Sequence, residues 1–234
     1  GSPLILGVGE SEFFLASDIP AFLQYTRTVN YLDDDQLVLI EHEKARFFDL
    51  LTDSEITKRP ITIDWTEEQA EKGDYDHFML KEIMEQKETI MRAINQEEEE
   101  IMKIVDFIKK AKGVFLSGCG TAGKVCMAAE YFFSVIAKQH VNFAHASEFP
   151  LYHHFLIPES LLIVVSQSGE TADVLEAMRV AKEKGAKVLS IVNVQGSSVA
   201  RLSDFSLLIN AGPEKAVAST KATTSQLSLL LLIA

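Results

Sequence analysis

From residue 113 onward the apolar residues of this chain switch repeatedly between runs of strand length and stretches with helical spacing, and this alternation limits the fold more than any other feature. Residues 114–116 form a short apolar run, 141–146 another, and 161–165 (Leu-Leu-Ile-Val-Val) a continuous one of the kind buried on both faces. Residues 188–192 and 205–209 complete five predicted strands. Between them, 122–137 is apolar on most faces, and 172–184 carries Val174, Ala177, Met178 and Ala181 on one helical face, with Asp173 at its start and Gly185 as its stop. Strands alternating with helices predict an α/β fold, a doubly wound five-stranded parallel sheet of flavodoxin-like type. Ligands of such sheets bind beyond the carboxyl ends of the strands, so the strand-to-helix turns are where chemistry is expected.

Three turns qualify. Gly118-Cys119-Gly120-Thr121-Ala122-Gly123 fits G-x-G-x-x-G between a strand and a helix, the dinucleotide-binding pattern. That reading also needs an acidic residue closing the second strand, and 141–147 has none; the alternative is that the glycines serve tight turning and close packing. Ser166-Gln167-Ser168-Gly169-Glu170-Thr171 gathers three hydroxyls where a helix begins, and the unpaired N–H groups there suit a phosphate held without lysine. One N-cap, Ser168 for instance, would account for only one of those hydroxyls. Ser219-Thr220-Lys221-Ala222-Thr223-Thr224-Ser225 is a third hydroxyl cluster opening a helix; such residues also serve as caps. Together the turns predict a polar small-molecule pocket.

Composition narrows the partners. Of the net charge of −12, residues 1–112 hold 13 Lys and Arg against 25 Asp and Glu, whereas residues 113–234 hold nine of each. An acidic first part and a neutral second one meet near Gly113, and neither suits nucleic acid or an anionic membrane. The longest apolar stretch, 229–234, is far short of the roughly 20 residues that span a bilayer. Two cysteines, Cys119 and Cys126, make no disulfide framework or zinc site, which suits a reducing cytoplasm. Cys119 beside a helix start has no fixed basic partner and reads as a pocket wall; His140, His145, His153 and His154 lack ligand spacing. No metal and no cofactor is expected.

Upstream, 29–32 and 36–40 suggest a hairpin around Asp33-Asp34-Asp35, and Asp18 with Pro20 a helix start over 21–25. The polar stretch 52–76 reads as a connector, followed by helices over 78–94 and 97–110, the second with four glutamates in its first turn and Ile101, Ile104, Val105 and Ile108 as a buried stripe. The chain lacks an initiator Met, 1–7 reads as a strand caught partway, and 225–234 as an unfinished helix; a truncated piece of a longer protein is expected.

The turns, with Cys119-Gly120-Thr121, Ser166 to Thr171 (SQSGET) and Ala211 to Ala222 (AGPEKAVASTKA), resemble the first sugar isomerase (SIS) domain of the glutamine:fructose-6-phosphate amidotransferase family. The first 40 residues resemble the end of that family's N-terminal nucleophile glutaminase domain, and KGDYDHFMLKEIMEQ over 72–86 its interdomain segment; Gly1-Ser2 then belongs to the native sequence. The resemblance implies an α+β glutaminase remnant over 1–50, a linker and helix over 51–94, and a SIS domain over 95–234. It implies synthesis of glucosamine 6-phosphate from fructose 6-phosphate and glutamine, in a cytoplasmic homodimer. The catalytic cysteine of the glutaminase and the lysine, glutamate and histidine of isomerisation fall outside this chain, so it would supply a substrate-binding wall and be inactive alone. Ser166, Gln167, Ser168 and Thr171 would hold the phosphate, and Cys119, Gly120, Thr121, Val217 and Ser219 would line the sugar. Departures from the family are Ala122 where a serine is frequent, 150–155 where a more basic stretch is common, and Lys215-Ala216 where Ile-Gly is usual. Regulators that carry a SIS domain as a sugar-phosphate sensor are the alternative, but the acidic first half offers no basic recognition helix.

Overall fold

The computed structural model describes residues 3–234, apart from the side chain of residue 67; Gly1 and Ser2, the start of the expected first strand, lie outside the described residues. Packing divides the chain into two compact units, residues 1–71 and Lys72–Ala234.

The first unit is built mainly of strands. β1 (Leu4–Val8) lies between β2 (Phe13–Ala16) and β3 (Thr28–Leu32), and β7 (Ile61–Thr62) completes an antiparallel sheet in the order β2-β1-β3-β7. β4 (Gln36–Glu41), β5 (Lys44–Asp49) and β6 (Ser54–Ile56) make a second sheet. The expected hairpin of 29–32 with 36–40 does not form: β3 pairs with β1, and β4 pairs with β5, Leu37 opposite Phe48 and Leu39 opposite Arg46. The acidic run passes the chain between sheets, with Asp35 at φ 58°, and the hairpin turn is His42-Glu43, with His42 at φ 54°. The helix expected over 21–25 is one 3-10 turn, Ile19–Ala21; Asp18 precedes it in extended conformation without capping it by its side chain. The polar 52–76 is more than a connector, since it carries β6, β7 and α1 (Glu67–Ala70).

The second unit opens with α2 (Phe78–Met84), α3 (Gln86–Ile94) and α4 (Glu98–Lys110). The first two replace the single expected helix and break at Glu85. Five parallel strands follow: β8 (Val114–Gly118), β9 (Asn142–His145), β10 (Leu161–Ser166), β11 (Lys187–Val192) and β12 (Phe205–Leu208). Their order, β12-β11-β10-β8-β9, is the flavodoxin-like winding, with the reversal of direction between β8 and β10.

The apolar runs are explained by burial on both faces. Within β10, Leu161, Ile163 and Val165 join one core with α5 (Gly120–Phe132), α4 and α8 (Lys221–Ile233), while Leu162 and Val164 join the other with α6 (Ala172–Glu183) and α7 (Ser198–Leu202). Successive side chains of a strand point to opposite faces, so a strand covered on both sides must be apolar at every position. Each such residue contributes about 1.5–3 kcal/mol on burial. Helix α5 begins two residues before its expected start and ends in a π-helical turn, Phe133–Ala137, stopped by Lys138 at φ 55°.

Asp204 ties the edge of this sheet. Its N–H donates to Val188 O (2.9 Å), while its carboxylate accepts the Val188 N–H (2.9 Å) and the Lys187 ammonium (2.7 Å). Burial pushes this carboxyl up, but Lys187, the Val188 N–H and Lys182 outweigh it and hold it below its ordinary 3.8. The charged form is therefore favoured in the native state, and the stability it contributes is complete above about pH 4 and is lost as the pH falls through the lower native value. Asp204→Asn is expected to cost about 1 kcal/mol at pH 7 and to remove that part of the acid slope, measured by urea denaturation at pH 6 and pH 3. Equal losses at both pH values would show that the charge is irrelevant.

Candidate functional site

Parallel strands put all their carboxyl ends on one edge of the sheet, so the three sequence turns share that edge. Gly118 sits opposite Val165 and His145 in register, and Ser166 opposite Val192. The first turn runs from β8 into α5, the second from β10 into α6. The third follows β12 and enters α8.

In the first turn the glycines divide their work. A Cβ on Gly118 would meet Val165 O of the neighbouring strand at 3.0 Å and the Ala122 carbonyl carbon of α5 at 3.1 Å, and one on Gly123 would meet Gly118 O at 3.0 Å, so both are set by close backbone packing. Gly120 is different: it has φ +54°, nothing lies within 4 Å of a Cβ built there, and it is exposed with Thr121. It is the open face of the turn. The neighbouring strand β9 ends at His145 without an acidic side chain, so the ribose contact of a dinucleotide fold has no counterpart here. Cys119 precedes α5, half-buried, with its Sγ 3.7 Å from Asp173 Oδ2. Burial pushes the thiol up and the Asp173 carboxylate adds to this, outweighing the Ser147 and Ala146 N–H groups. The helix start does not reverse this shift.

The second turn is the most organised. Ser166, at the end of β10, is buried; its Oγ accepts the Gly169 N–H (3.0 Å) and lies 3.1 Å from Thr171 Oγ1. Ser168 Oγ accepts the Glu170 N–H at 3.2 Å. The cap of α6 is Thr171 and not Ser168, and its side chain makes no capping bond, being turned toward Ser166 instead. Hydroxyls are thus gathered at the start of a 12-residue helix whose first N–H groups no side chain caps. A dianion can use both sets of donors. Gly169, at φ +69°, gives its carbonyl to the Val199 N–H (2.9 Å), and the Glu170 carboxylate takes the Ser198 N–H (2.8 Å), which locks the turn to α7.

Asn193, which the sequence reading passed over, joins the second turn to Ala211-Gly212, the stretch that leads from β12 toward the third. Its N–H donates to Gln167 O (3.2 Å), its Nδ2 to Gly212 O (2.7 Å), and its Oδ1 accepts the Ala211 N–H (2.9 Å). Glu214 then caps α8: its carboxylate accepts the Thr220 N–H (2.8 Å), the Ala222 N–H (3.2 Å) and the Ser219 hydroxyl (2.9 Å). Ser219 is half-buried and Val217 fully exposed. Among the described residues neither is hydrogen-bonded to the Ser166 turn, and the Asn193 bridge reaches only Ala211 and Gly212, ahead of both. Cavities of 510 and 390 Å³ lie elsewhere, the first against Glu130 and His140, the second against Ile108 and Ile233, and neither is lined by a residue of the three turns. Among the described residues no group of three or more His, Cys, Asp or Glu is placed to hold a metal ion, and no helix is long and apolar enough to cross a membrane.

The pattern that defines the SIS domain is matched by residues 107–234, which include all five parallel strands and all three turns. The chain belongs to the SIS domain family. Relatives of this SIS chain extend the likeness to its whole length. It is 44% identical over 234 residues to the glutamine--fructose-6-phosphate aminotransferase [isomerizing] of Pyrococcus horikoshii, covering all of this chain and 39% of the relative. The enzyme of the same name from Caldanaerobacter subterraneus is 43% identical, with all of this chain and 40% of the relative covered. This SIS chain therefore spans about 40% of the length of the curated relatives it matches. Among solved structures, the C-terminal domain of glucosamine-fructose-6-phosphate aminotransferase from Francisella tularensis superposes with a TM-score of 0.64 at 36% identity, over 69% of this chain and 47% of that one. The family resemblance drawn from the turns is thus found across the chain, and the departures at Ala122 and Lys215-Ala216 do not alter it.

Proposed function

We propose that this chain forms the phosphosugar-binding wall of a glutamine:fructose-6-phosphate aminotransferase that isomerises as it transfers, making glucosamine 6-phosphate and glutamate. The observation that carries this reading is the Ser166–Thr171 turn. Its hydroxyls converge at an uncapped helix start, in a unit whose last 122 residues have no net charge, so oriented dipoles must hold the phosphate. Ser166, Gln167, Ser168 and Thr171 take the phosphate; Cys119, Gly120, Thr121, Val217 and Ser219 face the sugar. Residues 1–50 would close a glutaminase domain, 51–94 would connect it, and 95–234 would form the SIS domain. A cytoplasmic homodimer is the assembly we expect of the whole protein. Because the groups that release ammonia and isomerise the sugar lie outside the matched motifs, the 234-residue chain alone is expected to make no glucosamine 6-phosphate.

The sensor reading is weaker, since relatives over the entire chain are aminotransferases. The test is calorimetric. Fructose 6-phosphate should bind and fructose should not, and Thr171→Val should weaken the phosphosugar roughly tenfold while leaving the thermal midpoint nearly unchanged. Valine keeps the shape of threonine and removes only the hydroxyl. Undiminished binding by Thr171→Val would make this turn a structural cap and move the phosphate elsewhere.

A further inference from the structure

Glu82 is 2% exposed on α2, more than 130 residues before the sugar-facing loop, yet it bonds directly to that loop. Its Oε1 accepts two consecutive backbone donors, the N–H of Lys215 (2.6 Å) and the N–H of Ala216 (3.0 Å). One helical turn before Glu82, the Phe78 ring lies under the Lys215 ammonium, 5.2 Å from its centroid. Phe78 and Glu82 are four residues apart and so share one face of the helix. That face grips the loop by backbone and side chain together, immediately before Val217 and Ser219. The Glu214 cap fixes the far end of the same loop, through the Thr220 and Ala222 N–H groups.

We infer that Glu82 is a positioning residue for sugar recognition: its carboxylate sets the Lys215-Ala216 peptides, and through them the orientation in which the loop offers Val217 and Ser219 to the hexose. This rests on the phosphosugar reading above. A carboxylate suits the task because one oxygen can take two amide protons with charge assistance. A glutamine would offer a weaker acceptor and add a buried amide whose own protons need partners. The Ser166 turn lies outside this grip, so the effect should fall on the sugar and spare the phosphate.

Calorimetry with fructose 6-phosphate and with inorganic phosphate separates the two. Glu82→Gln is expected to weaken fructose 6-phosphate about tenfold with phosphate affinity unchanged, and Glu82→Ala to weaken it further. Amide exchange gives a readout independent of any ligand: in Glu82→Ala the Lys215 and Ala216 amides should exchange at least tenfold faster while those of β8 and β10 keep their protection. Equal losses for both ligands, with protection falling throughout the sheet, would reduce Glu82 to a support of the fold and overturn the inference. Unchanged fructose 6-phosphate affinity in both variants would also overturn it. If the parent chain binds neither ligand, the phosphosugar reading fails instead, and the grip itself is decided by exchange at Lys215 and Ala216: faster supports it, unchanged refutes it.

Discussion

Gly169→Ala is expected to lower the stability of the second unit by about 2–5 kcal/mol and its melting temperature by roughly 5–15 °C. Two costs add. Gly169 holds φ +69°, a conformation that charges a residue with a side chain about 1–2 kcal/mol. A Cβ there would also fall 2.5 Å from Ser197 Cβ and closer still to Ser197 Oγ, and Ser197 is fully buried. Neither neighbour can move cheaply, because the Gly169 carbonyl accepts the Val199 N–H and the Ser198 N–H is held by Glu170. Adding Ser197→Gly should recover part of the loss, since it removes the collision and leaves the backbone strain. Thermal unfolding of both variants checks this, and a Gly169→Ala chain melting with the parent would mean that the turn is looser than its bonds imply.

That glycine also marks how far the sequence could be read. The parallel sheet was legible because Leu161 to Val165 of β10 are all buried and apolar, a pattern that only a strand covered on both faces requires. The Ser166 turn was legible because its hydroxyls are neighbours in the chain. Glu82 and Asn193 were not: each is a single polar residue, and what makes it matter is a backbone partner that is distant in sequence, 133 positions away for Glu82. In the first unit the acidic run of 33–35 looked like a hairpin turn, while the actual turn, His42-Glu43, carries no glycine or asparagine to announce its positive φ. The break between α2 and α3 likewise has neither proline nor glycine. Glu85, at the break, pairs with Lys221, 136 positions away, a partner that a local pattern does not contain.

Glu85 sits at the second large effect. Its carboxylate takes the Lys221 ammonium at 2.6 Å on one oxygen and Lys81 at 3.4 Å on the other, and the Lys221 side chain is 2% exposed. Taking a charge out of water is costly, and an ion pair offsets that cost only while both partners are present. Glu85→Gln keeps the volume and removes the charge, leaving an ammonium buried at the first residue of α8, where the helix dipole also opposes it. A loss of about 3–5 kcal/mol is expected, measured by urea denaturation at pH 7. The double variant Glu85→Gln with Lys221→Met separates charge from packing, because it removes the stranded ammonium and keeps an apolar stem in its place. It should recover most of the loss. If the double variant is no more stable than Glu85→Gln alone, the cost lies in the lost hydrogen bonds of Glu85 rather than in an unpaired buried charge, and Lys221 contributes to α8 chiefly through its carbon chain.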